Sequence, residues 1–126
     1  MKQLSAEACI AHILQDIDKR RTVNYADKNS VRRYNAAMDR IVEKANYICD
    51  NYPDKMELLF ALMYHPDYQI AATCTSILFR LHNAAKEHKL AAINSARQLL
   101  LRPELNALEE FAWTTNIERW EMELLK

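Results

Sequence analysis

Glycine is absent from this sequence of 126 residues. Glycine normally supplies the left-handed backbone positions of β-hairpin turns and helix C-caps. A sheet protein could hardly be built without it, whereas a helix can end on asparagine or at a proline. Without glycine there is also no phosphate-binding P-loop and no dinucleotide-binding fingerprint. The absence therefore favours an all-helical chain and excludes the glycine-dependent nucleotide motifs.

Cysteine is scarce, and neither sign of charge is in excess. Cys9, Cys49 and Cys74 form no C-x-x-C pair, which indicates reduced, packed thiols in a cytoplasmic protein.

The 17 basic and 17 acidic residues cancel, which disfavours a partner held mainly by phosphate electrostatics. No apolar run approaches the roughly 20 residues of a membrane span. We therefore expect no membrane segment, and the N-terminal residues do not predict a signal peptide.

Hydrophobic periodicity predicts the first two helices. Half of the residues are hydrophobic, enough for one domain whose core needs no disulfide or metal. A first helix is predicted over about 5–21 with Ser5 as its N-cap, and its basic end, 19–21, is interpreted as a solvated helix C-terminus rather than a ligand site. A second, longer helix is predicted over about 29–52. Its apolar stripe, spaced alternately by three and four residues, is Val31, Tyr34, Met38, Ile41, Ala45, Ile48 and Tyr52.

Prolines divide the remaining chain into helical hairpins. Pro53, Pro66 and Pro103 each fall between helix-patterned segments, where proline stops one helix and restarts the chain. Hairpins are therefore predicted over about 54–82 and 85–124, the second with a break near 114–116. The predicted core face of its last helix is Leu105, Leu108, Phe111, Ile117, Trp120 and Leu124. The acidic surplus of 103–126 is interpreted as a solvated end of the helical stack.

The corner at 65–70, with the sequence HPDYQI, carries a family resemblance. Together with the apolar positions Leu58, Leu62, Cys74 and Leu78 around it, this corner resembles one HEAT-type helical repeat. More narrowly, the chain resembles a small bacterial family of uncharacterised HEAT-like proteins. The residues that carry this narrower resemblance are Asn35 and Asp39, the corner from His65 to Ile70, and Phe111 with Trp120. The resemblance implies about six helices stacked as a short α-α superhelix in one domain, 1–126. HEAT repeats commonly place an arginine just after the corner, where this chain has Ala71.

No residue pattern points to catalysis, a metal or a cofactor. His12, His65, His82 and His88 include no pair four residues apart, and no Glu-x-x-His motif occurs. A nucleophile elbow, G-x-S-x-G, is impossible without glycine. We therefore expect a non-enzymatic protein that holds no metal and no cofactor.

Two groups of polar residues are candidate contacts to a partner. Asn35 and Asp39 are four residues apart and so share one helix face, although an ordinary hydrogen-bonding pair is the simpler interpretation. The corner supplies four more candidates, His65, Asp67, Tyr68 and Gln69. His65 at a helix end more often hydrogen-bonds the chain than a ligand.

The favoured function is a protein-interaction module that holds another protein or peptide in a helical groove. Aromatic residues that the core is not expected to absorb are candidate anchors: Tyr25, Tyr64, Tyr68 and Trp113. By analogy of fold alone, an immunity or adaptor protein is a more specific hypothesis. We expect a monomer or a weak homodimer.

The alternative function is nucleic-acid binding by a HEAT-like protein. The arginines that could serve are Arg32, Arg33, Arg40, Arg80, Arg97 and Arg102. Arg33 and Arg40 share a face of the second helix, but Asp39 and Glu43 beside them favour a mixed, salt-bridged surface. Protein binding is therefore preferred to nucleic-acid binding.

Overall fold

The computed structural model describes residues 3–125, which contain six α-helices and no strand. The helices are α1 (Ala6–Arg20), α2 (Lys28–Asn51), α3 (Glu57–Met63), α4 (Tyr68–Arg80), α5 (Lys86–Leu99) and α6 (Ala107–Leu124). A 3₁₀ turn, Pro53–Lys55, lies between α2 and α3. No residue in this part of the chain has a positive φ, so its turns close without the conformation that glycine favours. The prediction of an all-α fold is confirmed.

The helices separate into two compact units. Unit 1 consists of the chain up to Leu59 together with Leu81–Asn83, and unit 2 of Phe60–Arg80 and the chain from Ala84 onward. In unit 1, α1 packs against α2; in unit 2, α5 packs against both α4 and α6. The grouping of these helices into two repeats of one domain stays a prediction.

Unit 1 is built on two capped amphipathic helices. The Ser5 hydroxyl accepts the backbone N–H of Ala8 at 3.1 Å, as the sequence predicts for an N-cap, and the Asp27 carboxylate accepts that of Asn29 at 2.9 Å. The apolar side chains that α1 and α2 bury are Ala6, Cys9, Ile13, Ile17, Ala37, Ile41, Ala45, Ile48 and Cys49. The Tyr52 hydroxyl donates to the Leu4 carbonyl at 2.7 Å and so ties the end of α2 to the start of the unit.

The core of unit 2 contains two tryptophans and a buried pair of hydroxyl groups. The core residues are Ala71, Ile93, Ala96, Leu99, Trp113, Ile117 and Trp120. The ring of Phe79 stacks on that of Trp120 with centroids 4.5 Å apart. The hydroxyls of Thr75 on α4 and Ser95 on α5 are both buried and lie 2.7 Å apart. This pair joins α4 to α5 by a buried hydrogen bond.

Helix α6 differs from its prediction in continuity and in register. It runs unbroken through 114–116 and begins at a capping box between Asn106 and Glu109. Leu108 and Phe111, predicted to face the core, are exposed, whereas Trp113 is buried. The reason is geometric: nine residues along a continuous helix amount to about half a turn beyond two full turns, so Phe111 and Trp120 face opposite ways. A break at 114–116 would have reset the register and allowed both to face inward.

Candidate functional site

The corner between α3 and α4 is closed by its own polar side chains. His65 Nδ1 accepts the backbone N–H of Asp67 at 2.9 Å, which places the proton of a neutral ring on Nε2. The Asp67 carboxylate accepts the N–H groups of Gln69 at 2.9 Å and Ile70 at 3.4 Å, and so caps the start of α4. Two of the candidate contact residues therefore have structural roles at the corner.

An arginine from the following hairpin clamps this corner. Arg102 donates from Nη2 to the His65 carbonyl at 2.6 Å and from Nη1 to the Pro66 carbonyl at 2.8 Å. These carbonyls follow the end of α3 and have no partner within that helix. Ala71, where HEAT repeats commonly carry an arginine, is fully buried in the core of unit 2. The guanidinium therefore reaches the corner from a position 36 residues after Pro66.

Tyr68 and Gln69 complete the corner group. The Tyr68 hydroxyl accepts a hydrogen bond from Trp113 Nε1 at 2.9 Å, and burial raises the pKa of this hydroxyl. The contact links α4 to α6, so Tyr68 is part of the packing of unit 2. Gln69 is exposed. The structure brings the four corner candidates together in unit 2, with Gln69 as the one that faces solvent.

Asn35 and Asp39 lie on α2 in unit 1. Both side chains are exposed, and the helix places them on the same face, as their spacing predicts. They are therefore surface residues rather than a buried polar pair. Their role in binding a partner stays a prediction.

A basic cleft of about 420 Å³ lies in unit 1. Its lining residues are Lys19, Thr22, Val23, Ser30, Arg33, Tyr34, Ala36 and Arg40. Arg40 donates to Asp16 Oδ1 from Nε at 3.1 Å and from Nη2 at 2.9 Å, and this hydrogen bonding raises the pKa of Arg40. Lys19 Nζ lies 3.6 Å from the same oxygen. The cleft thus collects two of the predicted nucleic-acid arginines and a lysine that the sequence assigned to a helix end.

The other candidate arginines do not join this cleft. Arg32 is exposed on α2 but is not among its lining residues, and Arg80 belongs to unit 2. Arg97 bonds to Glu121 at 2.7 Å, and Arg102 clamps the corner. Most of the set predicted for nucleic-acid binding is therefore dispersed or engaged in contacts within the protein.

The outward side of α6 carries an exposed apolar stripe. Its members, here called the outer stripe, are Leu108 (77% exposed), Phe111 (70%), Met122 (65%) and Leu125 (88%). They lie opposite the buried Trp113, Ile117 and Trp120, so α6 is apolar on two sides. The signal was present in the sequence, but the predicted break at 114–116 assigned Leu108 and Phe111 to the core.

The three cysteines are free and buried. Burial raises the pKa of all three thiols, that of Cys74 to about 12. A thiol is nucleophilic only as the thiolate, so these residues act as packed apolar groups. Between residues 3 and 125, no three or more His, Cys, Asp or Glu side chains form a group suited to a metal ion.

A search of the same residues for membrane spans finds no helix with the length and apolar character to cross a bilayer.

Comparison of the chain with protein-family models, with curated proteins and with solved structures gives no match.

Proposed function

We propose that this protein is a non-enzymatic, HEAT-like interaction module of the bacterial cytoplasm, and that the outer stripe of α6 is its docking face. The observation that carries the proposal is the apolar character of α6 on two opposite sides. One side is buried in unit 2, and the other exposes Leu108, Phe111, Met122 and Leu125. A helix that is apolar on two sides is typical of a packed interior. The exposed apolar residues form two pairs, Leu108 with Phe111 and Met122 with Leu125, on one side of the helix, and exposed apolar surface of this kind marks interaction sites.

The charges around the outer stripe define the chemistry of its occupant. Glu110, Glu118 and Glu123 are exposed on α6, and Arg119 is the only basic residue within the helix. By helical geometry Glu118 lies on the outward side, between Phe111 and Met122. We assign the stripe to an amphipathic helix of another protein whose apolar face is flanked by lysine or arginine, because such a helix complements both features.

A second copy of this chain fits the outer stripe less well. Pairing two α6 helices through their outward sides would bring Glu118 of both copies into the contact, where Arg119 is the only cation that α6 supplies against its five glutamates. Like charges across an interface disfavour a partner. The 18 residues of α6 span about 27 Å, which suits a partner helix of about five turns.

The remaining parts of the proposal rest on sequence and burial. The repeat-like corner and the packed helix pairs support a HEAT-like arrangement. Free, buried cysteines support a reducing compartment. An immunity protein is the special case in which the basic partner is a toxin domain. Nucleic-acid binding ranks second because Arg40, Arg97 and Arg102 are engaged within the protein.

The test uses two synthetic 18-residue amphipathic helices with the same leucine face, one flanked by lysine and the other by glutamate. Isothermal titration of the full chain should show binding of the lysine peptide and much weaker binding of the glutamate peptide. Phe111→Ser should weaken binding of the lysine peptide about tenfold, as loss of an aromatic anchor does. Leu101→Ser is the matched control, since Leu101 is equally exposed (78%) but lies outside α6.

Four results would overturn the assignment. If neither peptide bound, or if both serine variants weakened binding equally, the outer stripe would not be a docking face. If both peptides bound with equal affinity, the partner helix would not need flanking lysine or arginine. Self-association in sedimentation that Phe111→Ser abolishes would make a second copy the occupant.

A further inference from the structure

We propose that the basic cleft of unit 1 binds a phosphate monoester of nucleotide size, namely a nucleoside monophosphate. This site is separate from the docking face on α6, which belongs to unit 2. The inference goes beyond the proposed function, and either can fail alone. It rests on the charge balance of the cleft, on its hydroxyl groups and on its volume.

The charge balance leaves the cleft positive. Lys19, Arg33 and Arg40 line it, and none of the described lining residues is acidic. Asp16, which is 5% exposed, engages Arg40 through one carboxylate oxygen and lies within ion-pair distance of Lys19. One carboxylate cannot neutralise three cations. Arg33 is exposed and makes no hydrogen bond or ion pair with any residue between 3 and 125, so its five donors remain available. A phosphate dianion matches such a set of donors, and arginine binds phosphate in a bidentate manner.

One hydroxyl group, that of Ser30, adds a directed donor to this charge, and a second, that of Thr22, adds an acceptor. Ser30 is buried, and its Oγ accepts the backbone N–H of Asn24 at 2.8 Å. That bond fixes the side chain and uses the oxygen as an acceptor, so the hydroxyl proton is free to donate. Thr22 Oγ1 donates to the Lys19 carbonyl at 3.2 Å, which leaves its oxygen as an acceptor. The cleft therefore offers both cationic and neutral hydrogen-bonding groups.

The aromatic wall favours an ester with an organic group over inorganic phosphate. Tyr34 lines the cleft beside Val23, and the Arg20 guanidinium lies 4.0 Å from the centroid of its ring. Nε of Arg20 is enclosed and has no acceptor within the described residues. Tyr25 does not line the cleft, but its exposed ring meets that of Tyr34 edge to face at 6.0 Å, so a base that extends out of the cleft would stack on Tyr25. A volume of about 420 Å³ exceeds what phosphate alone would fill.

Two adjacent arginines give the test a matched pair. Arg32 and Arg33 are neighbours on α2, both exposed, and only Arg33 lines the cleft. Isothermal titration of the full chain with AMP at low salt should show saturable binding. Arg33→Gln should weaken it about tenfold, the loss expected for one charged hydrogen-bonding partner, whereas Arg32→Gln should change it less than about twofold. Adenosine should not compete, and Tyr25→Ala should weaken AMP about threefold through lost stacking.

Each contrary outcome overturns the proposal. Equal weakening by the two glutamine variants would mean that surface charge alone attracts the ligand. Tighter binding of a ten-residue oligoadenylate with a 5′-hydroxyl than of AMP would mean an extended nucleic-acid surface. If inorganic phosphate bound as tightly as AMP, the nucleoside would contribute nothing to binding. If binding did not saturate at millimolar AMP, the cleft would not be a binding site for AMP. Both variants change exposed side chains, and circular dichroism verifies that they fold.

Discussion

The effect of mutating the buried hydroxyl pair of unit 2, Thr75 and Ser95, can be predicted from the number of protons that the two hydroxyls can donate. Thr75 Oγ1 lies 2.7 Å from the Ala71 carbonyl and 2.7 Å from Ser95 Oγ, while Ser95 Oγ lies 3.3 Å from the Met63 carbonyl. Each hydroxyl has one proton to donate. The two short contacts are satisfied together if Thr75 donates to Ala71 and Ser95 donates to Thr75. The longer contact to Met63 is then an alternative acceptor for Ser95.

The two single substitutions should therefore cost little, and they should not add. Thr75→Val keeps the shape of the side chain, and Ser95 can turn to Met63, so the expected loss is about 0.5–1 kcal/mol. Ser95→Ala removes a hydrogen bond that stabilises the fold by about 1 kcal/mol. The higher helix propensity of alanine offsets part of this loss of stability. Once Thr75 is valine, Ser95→Ala removes only the longer bond. The double-mutant cycle should thus give a coupling of about 0.5–1 kcal/mol.

Urea unfolding monitored by tryptophan fluorescence measures these free energies, provided that the m-value is unchanged. Thr73→Val serves as the control, because Thr73 is also buried on α4 but lies about 200° around the helix from Thr75. Its effect should add to that of Ser95→Ala. Strict additivity of Thr75→Val and Ser95→Ala, or a loss above about 3 kcal/mol for Thr75→Val, would refute the proton assignment.

Two further predictions concern the corner clamp and a buried thiol. Arg102→Ala should lower the free energy of unfolding by about 1–3 kcal/mol, because two carbonyls lose a charged donor, whereas Arg97→Ala, in an exposed pair, should cost at most about 1 kcal/mol. Equal losses in urea unfolding would contradict the clamp. Because the pKa of the Cys74 thiol is raised to about 12, this thiol stays protonated as the pH rises from 7 to 9. The rate at which a thiol reagent labels Cys74 can be measured by mass spectrometry. In the urea-unfolded chain this rate should rise with pH over that range. In the native chain it should remain limited by opening of the fold at Cys74. Native labelling of Cys74 at the unfolded rate would show that this residue is not buried.

Local patterns explain why the helices could be predicted from the sequence. Ser5 caps α1 through a contact three residues away, and the stripe of α2 repeats at the helical period, so both signals are contained in short segments. At α6 local reasoning was wrong, because Thr114 and its neighbours are poor helix formers in isolation. Trp113 and Trp120 are buried on the same side across that segment, and this packing overrides the local preference.

The candidate sites depend on contacts that no local pattern contains. The shared face of Arg33 and Arg40 followed from their spacing, but Lys19 reaches the same cleft only because α1 packs on α2. Arg102 contacts carbonyls 36 and 37 residues away, so its role could not be recognised from the corner sequence. Sequence periodicity also cannot distinguish the buried side of α6 from the exposed one when both are apolar.

The positions of the two tryptophans give the chain a built-in optical reporter. Trp113 and Trp120 are the only tryptophans in the sequence, and both are buried in unit 2. Tryptophan fluorescence, excited at wavelengths that the six tyrosines do not absorb, therefore follows unit 2 alone, whereas far-ultraviolet circular dichroism sums over helices of both units. Comparing the two signals during denaturation separates the melting of unit 2 from that of unit 1 without any label.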